Sequence, residues 1–314
     1  MTAGSCLVVM YHYVRDTGSG AFPGIRALPP ALFEQQLDWL QGRHTVIDVE
    51  TLDAAVHAGR PLPPNAALLT FDDGFIDHYE AAFPILRARG LSGLFFVSEN
   101  PTAEPRLLGV HKTQLLLASM GAEAFGRAVL AEAELVPAVS DAARAVFGAD
   151  HWDDAGDRAI KQLINYQLPF DDAERVLEAI FARHVGDSRD VARALYLDAA
   201  QIREMAAGGM AFGYHTRSHR MLSRLDARAQ REEIAPGIAW IAGLTGQARV
   251  SFCYPWGGPQ TYTPETVGIL ADSGYSLAFN TVRRRLQVGV DGPFELPRLD
   301  TRDLPPYTDG EADD

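Results

Sequence analysis

The sequence predicts an α/β fold: an incomplete barrel of the TIM type, interrupted by an inserted α-helical subdomain. Three observations predict it. Short apolar runs alternate with helical patterns along most of the chain. The alternation recurs about seven times, close to the repeat of a strand–helix barrel. Between Asn100 and about Leu195 it stops, and Ala-rich segments with helical spacing replace it.

The predicted strands are 7–11, 45–48, 67–71, 93–97, 210–214, 250–254 and 277–280. Each is a short apolar run rich in Val, Leu, Phe or Tyr. The predicted helices between them are 30–42, 51–58, 78–89, 199–207, 226–242 and 264–273. Within the insertion, helical spacing covers 112–120, 122–135, 140–147, 157–166 and 171–184, and Asp153-Asp154 and Asp171-Asp172 resemble helix starts. The predicted organisation is a discontinuous barrel, 1–99 and 196–303, with the helical insertion at 100–195. Leaving the chain just after a strand end, the insertion suits a lid or specificity cap over that face, and equally an inert insertion or a dimer surface. The tail 304–314, with Pro305-Pro306 and an acidic end, is predicted to be disordered.

Residues 70–74 read Thr-Phe-Asp-Asp-Gly, directly after the apolar run 66–69. Two adjacent carboxylates at a buried strand end are costly, since desolvation and like-charge repulsion both oppose ionising the pair. A metal ion removes the objection: one Asp ligates it while the other stays free as a base. Candidate partners stand about 140 residues on, at His215 and His219, after the short apolar stretch 210–212. At i and i+4 they would share one face of a helical turn. Two imidazoles and one carboxylate leave coordination positions open, as in a catalytic site. Alone, Asp-Asp-Gly also suits a turn and His-x-x-x-His a surface helix. Together, each at a strand end, they point to one centre, and Asp72, Asp73, His215 and Trp256 all fall just past predicted strands, where barrels place their chemistry.

The 314 residues are 47% apolar with a formal net charge of −13, which supplies a large core and argues against a nucleic-acid partner or a charge-bound anionic membrane. Cys6 and Cys253 sit in apolar surroundings and read as small core residues rather than a bridge or a nucleophile. The N-terminus has no basic region, its apolar run is too short for a secretion signal, and no stretch approaches the roughly 20 apolar residues of a membrane span. A cytoplasmic location is the expectation. Oligomeric state is not readable from the sequence.

The stretch 69–97, then His215-Thr216-Arg217-Ser218-His219, then Phe252-Cys253-Tyr254-Pro255-Trp256-Gly257, resembles the three motifs of the NodB-homology polysaccharide deacetylases, carbohydrate esterase family 4. The resemblance covers roughly 6–100 and 196–300. It implies a distorted (β/α)7 barrel and hydrolysis of an N-acetyl amide on a sugar. It also implies one divalent metal on Asp73, His215 and His219, with Asp72 as general base. Zn2+ is the default for such ligands, and Ni2+, Co2+ or Fe2+ would fit them. The backbone N–H of Trp256 or Tyr254 is a candidate oxyanion donor, and the Trp256 ring a platform for a sugar or a core-edge aromatic.

Two departures stand out. The family's late Leu-x-His motif is missing, because no His follows residue 219. His12 ends the first predicted strand, which neighbours the last in a barrel; some exopolysaccharide deacetylases of the family are permuted in this way. His12 is therefore the expected general acid, against the alternative of a core His. Cys253 stands where the third motif usually carries the Arg that pairs with the catalytic Asp. Arg298, in Leu296-Pro297-Arg298-Leu299, is the expected replacement, against a surface salt bridge. His44 and His78 read as surface or helix residues. The expected substrate is an N-acyl amino sugar, and lack of export plus the insertion favour a small one over a long polymer. The alternatives are an amidohydrolase acting on a formamide or cyclic amide, and a non-catalytic carbohydrate-binding relic.

Overall fold

Strand β1 (Ser5–Tyr11) lies within a mainly parallel sheet that curls into a barrel. The computed structural model describes residues 4–18, 22, 24–133 and 160–308. The further strands are β2 (Thr45–Ile47), β3 (Ala66–Phe71), β4 (Leu94–Val97), β5 (Ala211–Tyr214), β6 (Ser251–Cys253), β7 (Ala278–Phe279), β8 (Leu286–Gln287) and β9 (Leu299–Asp300). Neighbours run β7-β6-β5-β4-β3-β1-β8, parallel throughout except β1 with β8. On one edge β3 pairs first with β2 and then with β4. The segment 296–300 closes the row: Leu296 bridges to Phe279, while Leu299 and Asp300 pair with Val9 and Met10.

Each predicted strand has a counterpart, β1 to β7. Strands β8 and β9 were not predicted, because two residues carry no readable period. The predicted helix 226–242 is two helices, Ala227–Ile234 and Gly237–Thr245, separated at Pro236, which has no N–H to continue the ladder. The predicted helix 78–89 begins as a π-helical turn, His78–Ala82, and continues as Phe83–Ala88. Helix starts are capped as their sequences suggest: Asp48, Asp226 and Thr263 each accept from the backbone N–H three residues on.

Strand side chains alternate between two cores, as a period of two requires. Leu7, Val9, Tyr11, Leu69, Phe71, Phe95, Phe212, Phe252 and Tyr254 join Phe33, Leu37, Leu86, Ile202, Ile241 and Leu270 of the surrounding helices. Cys6, Val8, Ala66, Leu68, Leu94, Phe96, Cys253, Phe279 and Leu296 form the other cluster, inside the barrel. Extending the inner series by four residues reaches His12 from Val8 of β1 and Asp72 from Leu68 of β3. The same parity gives His215 after β5 and Arg298 before β9. The pleat thus aims side chains from four parts of the sheet at one place.

By contact density the chain forms two units. One comprises residues up to Arg15, Ala27–Glu104 and those from Leu195 on; the other comprises Asp16–Arg26 and Pro105–Ala194. The second unit contains Gly109–Ala133, broken at Gly121 by non-helical backbone, and Phe170–His184. Buried Lys112 ties these helices together through Glu174 at 2.9 Å and Glu178 at 2.7 Å. Segment 16–26 belongs here because Gly24 lies against Ala118, where a Cβ would come within 2.9 Å of the Ala118 carbonyl oxygen. The predicted helix 140–147 and the start of 157–166 lie outside the described residues. In the tail, 304–308 form turns with Leu304 buried, and 309–314 lie outside the described residues. Among the described residues, no helix is long and apolar enough to cross a membrane.

Candidate active site

The Asp pair follows β3 with a sharp change of direction. Asp73 and Gly74 both have positive φ, 76° and 64°. Of the five non-glycine residues with positive φ among those described, Asp73, Thr216, His219 and Trp256 all lie in the three motif loops. Left-handed backbone at such residues costs on the order of 1–3 kcal/mol each and concentrates at functional sites.

Asp72 is buried, and Arg298 clamps it. Arg298 Nη1 donates to Oδ1 at 2.8 Å and Nη2 to Oδ2 at 2.8 Å. The remaining guanidinium hydrogens reach Thr70 Oγ1 at 3.1 Å, the Asn280 carbonyl at 2.9 Å and Cys253 Sγ at 3.0 Å. All five donors of a fully buried Arg are therefore satisfied. Burial by itself would raise the Asp72 pKa; the charge and paired hydrogen bonds of Arg298 outweigh it and hold the carboxyl at about 2. Cys253 is a free cysteine, and burial raises its thiol pKa, so the S–H can donate to Asp72 Oδ2 at 3.5 Å. It is thus more than the inert core residue expected. A long side chain here would displace Arg298.

Asp73 Oδ1 lies 3.4 Å from His215 Nε2 and 3.3 Å from His219 Nε2, and all three residues are largely or fully buried. His215 Nδ1 sits 2.8 Å from the Cys253 carbonyl, which can only accept. Nδ1 must therefore carry the hydrogen, and a neutral His215 presents its Nε2 lone pair to the Asp73 oxygen. Two lone pairs facing each other need a cation between them. The spacing is longer than a good imidazole–carboxylate hydrogen bond, about 2.7–3.2 Å, yet it matches the edge of a tetrahedron with metal–ligand bonds of about 2.0–2.1 Å, roughly 3.4 Å. The three donors fit a divalent ion. Asp72, His215 and Cys253 also come within 4.8 Å of one another, but Arg298 already holds Asp72 and Cys253.

The His215–His219 segment corrects one expectation. It is a loop and not a helical turn: Thr216 and His219 have φ of 63° and 58°. The rings still meet, with centroids 4.8 Å apart. The loop is pinned from outside. Ser98 Oγ donates to the His215 carbonyl at 2.8 Å, the Asn100 N–H to the Arg217 carbonyl at 2.9 Å, and Ser218 donates through its N–H to Glu233 at 2.8 Å. Sequence periodicity is blind to a loop held by distant partners.

His12 Nε2 stands 3.9 Å from Asp72 Oδ2, with its side chain 40% exposed. The Trp256 ring meets His219 edge-on at 5.7 Å between centroids. Tyr254 is not placed as expected. Its N–H donates to the Phe279 carbonyl at 3.1 Å within the sheet, and its hydroxyl to the Phe294 carbonyl at 2.8 Å. Its parity with Phe252 turns it to the outer core, where it stacks on Tyr262. It therefore has no donor left for an oxyanion. Tyr254→Phe should leave kcat and KM unchanged and cost about 1 kcal/mol of stability, one buried hydrogen bond; denaturant midpoints and steady-state rates check both halves.

Residues 173–278 match the polysaccharide deacetylase family, a stretch holding His215, His219 and Cys253. The poly-beta-1,6-N-acetyl-D-glucosamine N-deacetylase of Escherichia coli K12 is 31% identical over 84 residues, 26% of this chain and 12% of that protein. The putative polysaccharide deacetylase YxkH of Bacillus subtilis 168 is 28% identical over 92 residues, 29% of this chain and 30% of that protein. The chain thus spans well under half the length of these curated relatives. Whole-chain likeness is found among solved structures. The Streptococcus pyogenes deacetylase PplD, in complex with acetate, superposes with a TM-score of 0.60 at 18% identity, covering 95% of this chain and 93% of that one. IcaB from Ammonifex degensii gives 0.57 at 21% identity, covering 95% and 92%. They share the (β/α)7 barrel fold. The chain is thus similar to polysaccharide deacetylases over residues 173–278 of its sequence and shares the fold of solved deacetylases along nearly its whole length.

Proposed function

We propose that this chain is a metal-dependent hydrolase that removes N-acetyl groups from amino-sugar residues. One observation carries the proposal: an ionised, Arg-clamped carboxylate stands next to three donors whose spacing fits a divalent ion. Asp73, His215 and His219 would hold that ion, with Zn2+ the first candidate. When bound, it would acidify water and polarise the acetyl carbonyl.

The chain's own groups supply the rest. Asp72 is ionised and accepts a proton from the attacking water; Arg298 fixes its orientation. The leaving amine needs a proton, and His12, partly exposed and 3.9 Å from Asp72, is the group we assign to deliver it. The Trp256 N–H is the remaining candidate oxyanion donor, and its ring offers a face for a sugar beside His219. Catalysis belongs to 1–99 and 196–303 in this reading, and 100–195 to substrate selection or subunit contact.

The named activity of the Escherichia coli relative favours an N-acetylglucosamine glycan. Acetate and free-amine release from N-acetylglucosamine, its β-linked oligomers, an N-formyl amine and a cyclic amide tests the reading. Acetate from the sugars is expected, and the oligomer-to-monomer ratio separates a glycan from a small sugar. Formate release or ring opening without acetate would replace this reading with the amidohydrolase one. No release from any of them would favour a carbohydrate-binding relic.

A further inference from the structure

Residues 12–15, which carry His12 past the end of β1, are tied to residues 75–78 on the far side of the Asp pair. The Tyr13 ring stacks on Phe75 with centroids 3.8 Å apart. The Val14 N–H donates to Asp77 Oδ2 at 3.1 Å, and Arg15 Nε to the same oxygen at 2.7 Å, while Arg15 Nη2 pairs with Oδ1. His78 Nε2 donates to the His12 carbonyl at 2.9 Å. His12 itself is 3.9 Å from Asp72, beyond hydrogen-bond reach. Its backbone therefore sets where the ring stands.

His78 lies in the helical turn His78–Ala82, as the helix reading expected, but not at the surface. It is fully buried among Phe71, Phe75 and Phe95. Because a carbonyl only accepts, Nε2 carries the hydrogen, and the buried Nδ1 has no hydrogen-bond partner among the described residues. Burial holds its pKa at about 4, so the ring is neutral at neutral pH. A leucine or phenylalanine would fill this space without burying a polar ring. What neither can do is donate to the His12 carbonyl.

We propose that His78 and Asp77 are positioning residues that fix the His12 ring within reach of the leaving amine. This rests on the reading of His12 as the proton donor. A displaced donor should slow only the step that needs its proton, and positioning errors of about 1 Å cost up to roughly 100-fold.

The test uses the full-length, metal-loaded protein and two substrates: an N-acetylglucosamine oligomer, whose amine must be protonated to leave, and 4-nitrophenyl acetate, whose phenolate leaves without a proton. The variants are His78→Leu, His78→Gln, which keeps a donor, and His12→Ala. The proposal expects His78→Leu to lose about 10- to 100-fold in kcat on the amide, with KM, metal content and the ester rate within about twofold. His78→Gln should recover most of the loss, and His12→Ala should show a larger amide-specific loss. Equal losses on both substrates in His78→Leu, or no loss, beside an amide-specific loss in His12→Ala, would overturn the positioning role and leave the His12 reading standing. An unselective or absent effect in His12→Ala would remove that reading itself. If His78→Leu does not fold, Asp77→Asn, which weakens the hold on Val14 and Arg15, is judged by the same amide-to-ester ratio.

Discussion

Asp72→Asn should lower kcat by about 10²- to 10⁴-fold, the usual contribution of a positioned general base. The amide keeps the shape and accepts no proton at neutral pH. It also turns an NH2 toward one arm of Arg298, so one of the two paired hydrogen bonds at 2.8 Å becomes donor against donor. Metal binding should survive, because Asp72 is not one of the three donors grouped as Asp73, His215 and His219. Steady-state acetate release and metal stoichiometry on the same preparation check both halves. A loss below tenfold would remove Asp72 from the proton-transfer role, and loss of the metal would place it among the ligands instead.

Arg298→Met should cost the most stability of any single change at the site. It removes the cation from a fully buried carboxylate and strands the acceptors at Thr70, Asn280 and Cys253. Breaking a buried ion pair from one side costs about 3–5 kcal/mol, mostly the penalty of the charge left behind. The sign can be tested with a double-mutant cycle. In an Asp72→Asn background the same Arg298→Met change should cost clearly less, since no charge remains to be stranded. Chemical denaturation of the four proteins gives the coupling. Additive effects would mean that the pair contributes little, and that Arg298 is held for its packing against Phe96, 5.7 Å from its ring.

Much of the barrel was legible because each strand is an apolar run bounded by turn residues. Strands β1 to β7 fall within a few residues of their predicted places. What the sequence hid follows from length and distance. Strands β8 and β9 are too short to carry a period. The loop from His215 to His219 mimics helical spacing but is shaped by Ser98, Asn100 and Glu233, all remote in sequence. The assignment of segment 16–26 to the helical unit depends on Gly24 approaching a backbone far along the chain.

At the site, the two carboxylates and the two histidines could be singled out because each pair is odd in its local context. The Arg298 clamp could be suspected only because Cys253 left an arginine missing; its five donors and their acceptors come from four separate segments. Tyr254 is the instructive miss. The period-two parity that carries Cys253 to the inner face also carries Tyr254 to the outer one, and that signal was already in the strand. The helical position of His78 was legible but its burial was not: nothing local distinguishes a buried histidine on a helical turn from an exposed one.

The claim that Asp73, His215 and His219 hold a catalytic ion is tested most directly by stripping the protein with a chelator and titrating metal back while following acetate release and binding heat together. The account predicts one divalent ion per chain. Turnover should be lost on stripping and return in proportion to sites filled, and His215→Ala should lose both binding and turnover. Undiminished acetate release from the stripped protein, or tight one-to-one binding that survives in His215→Ala, would contradict it.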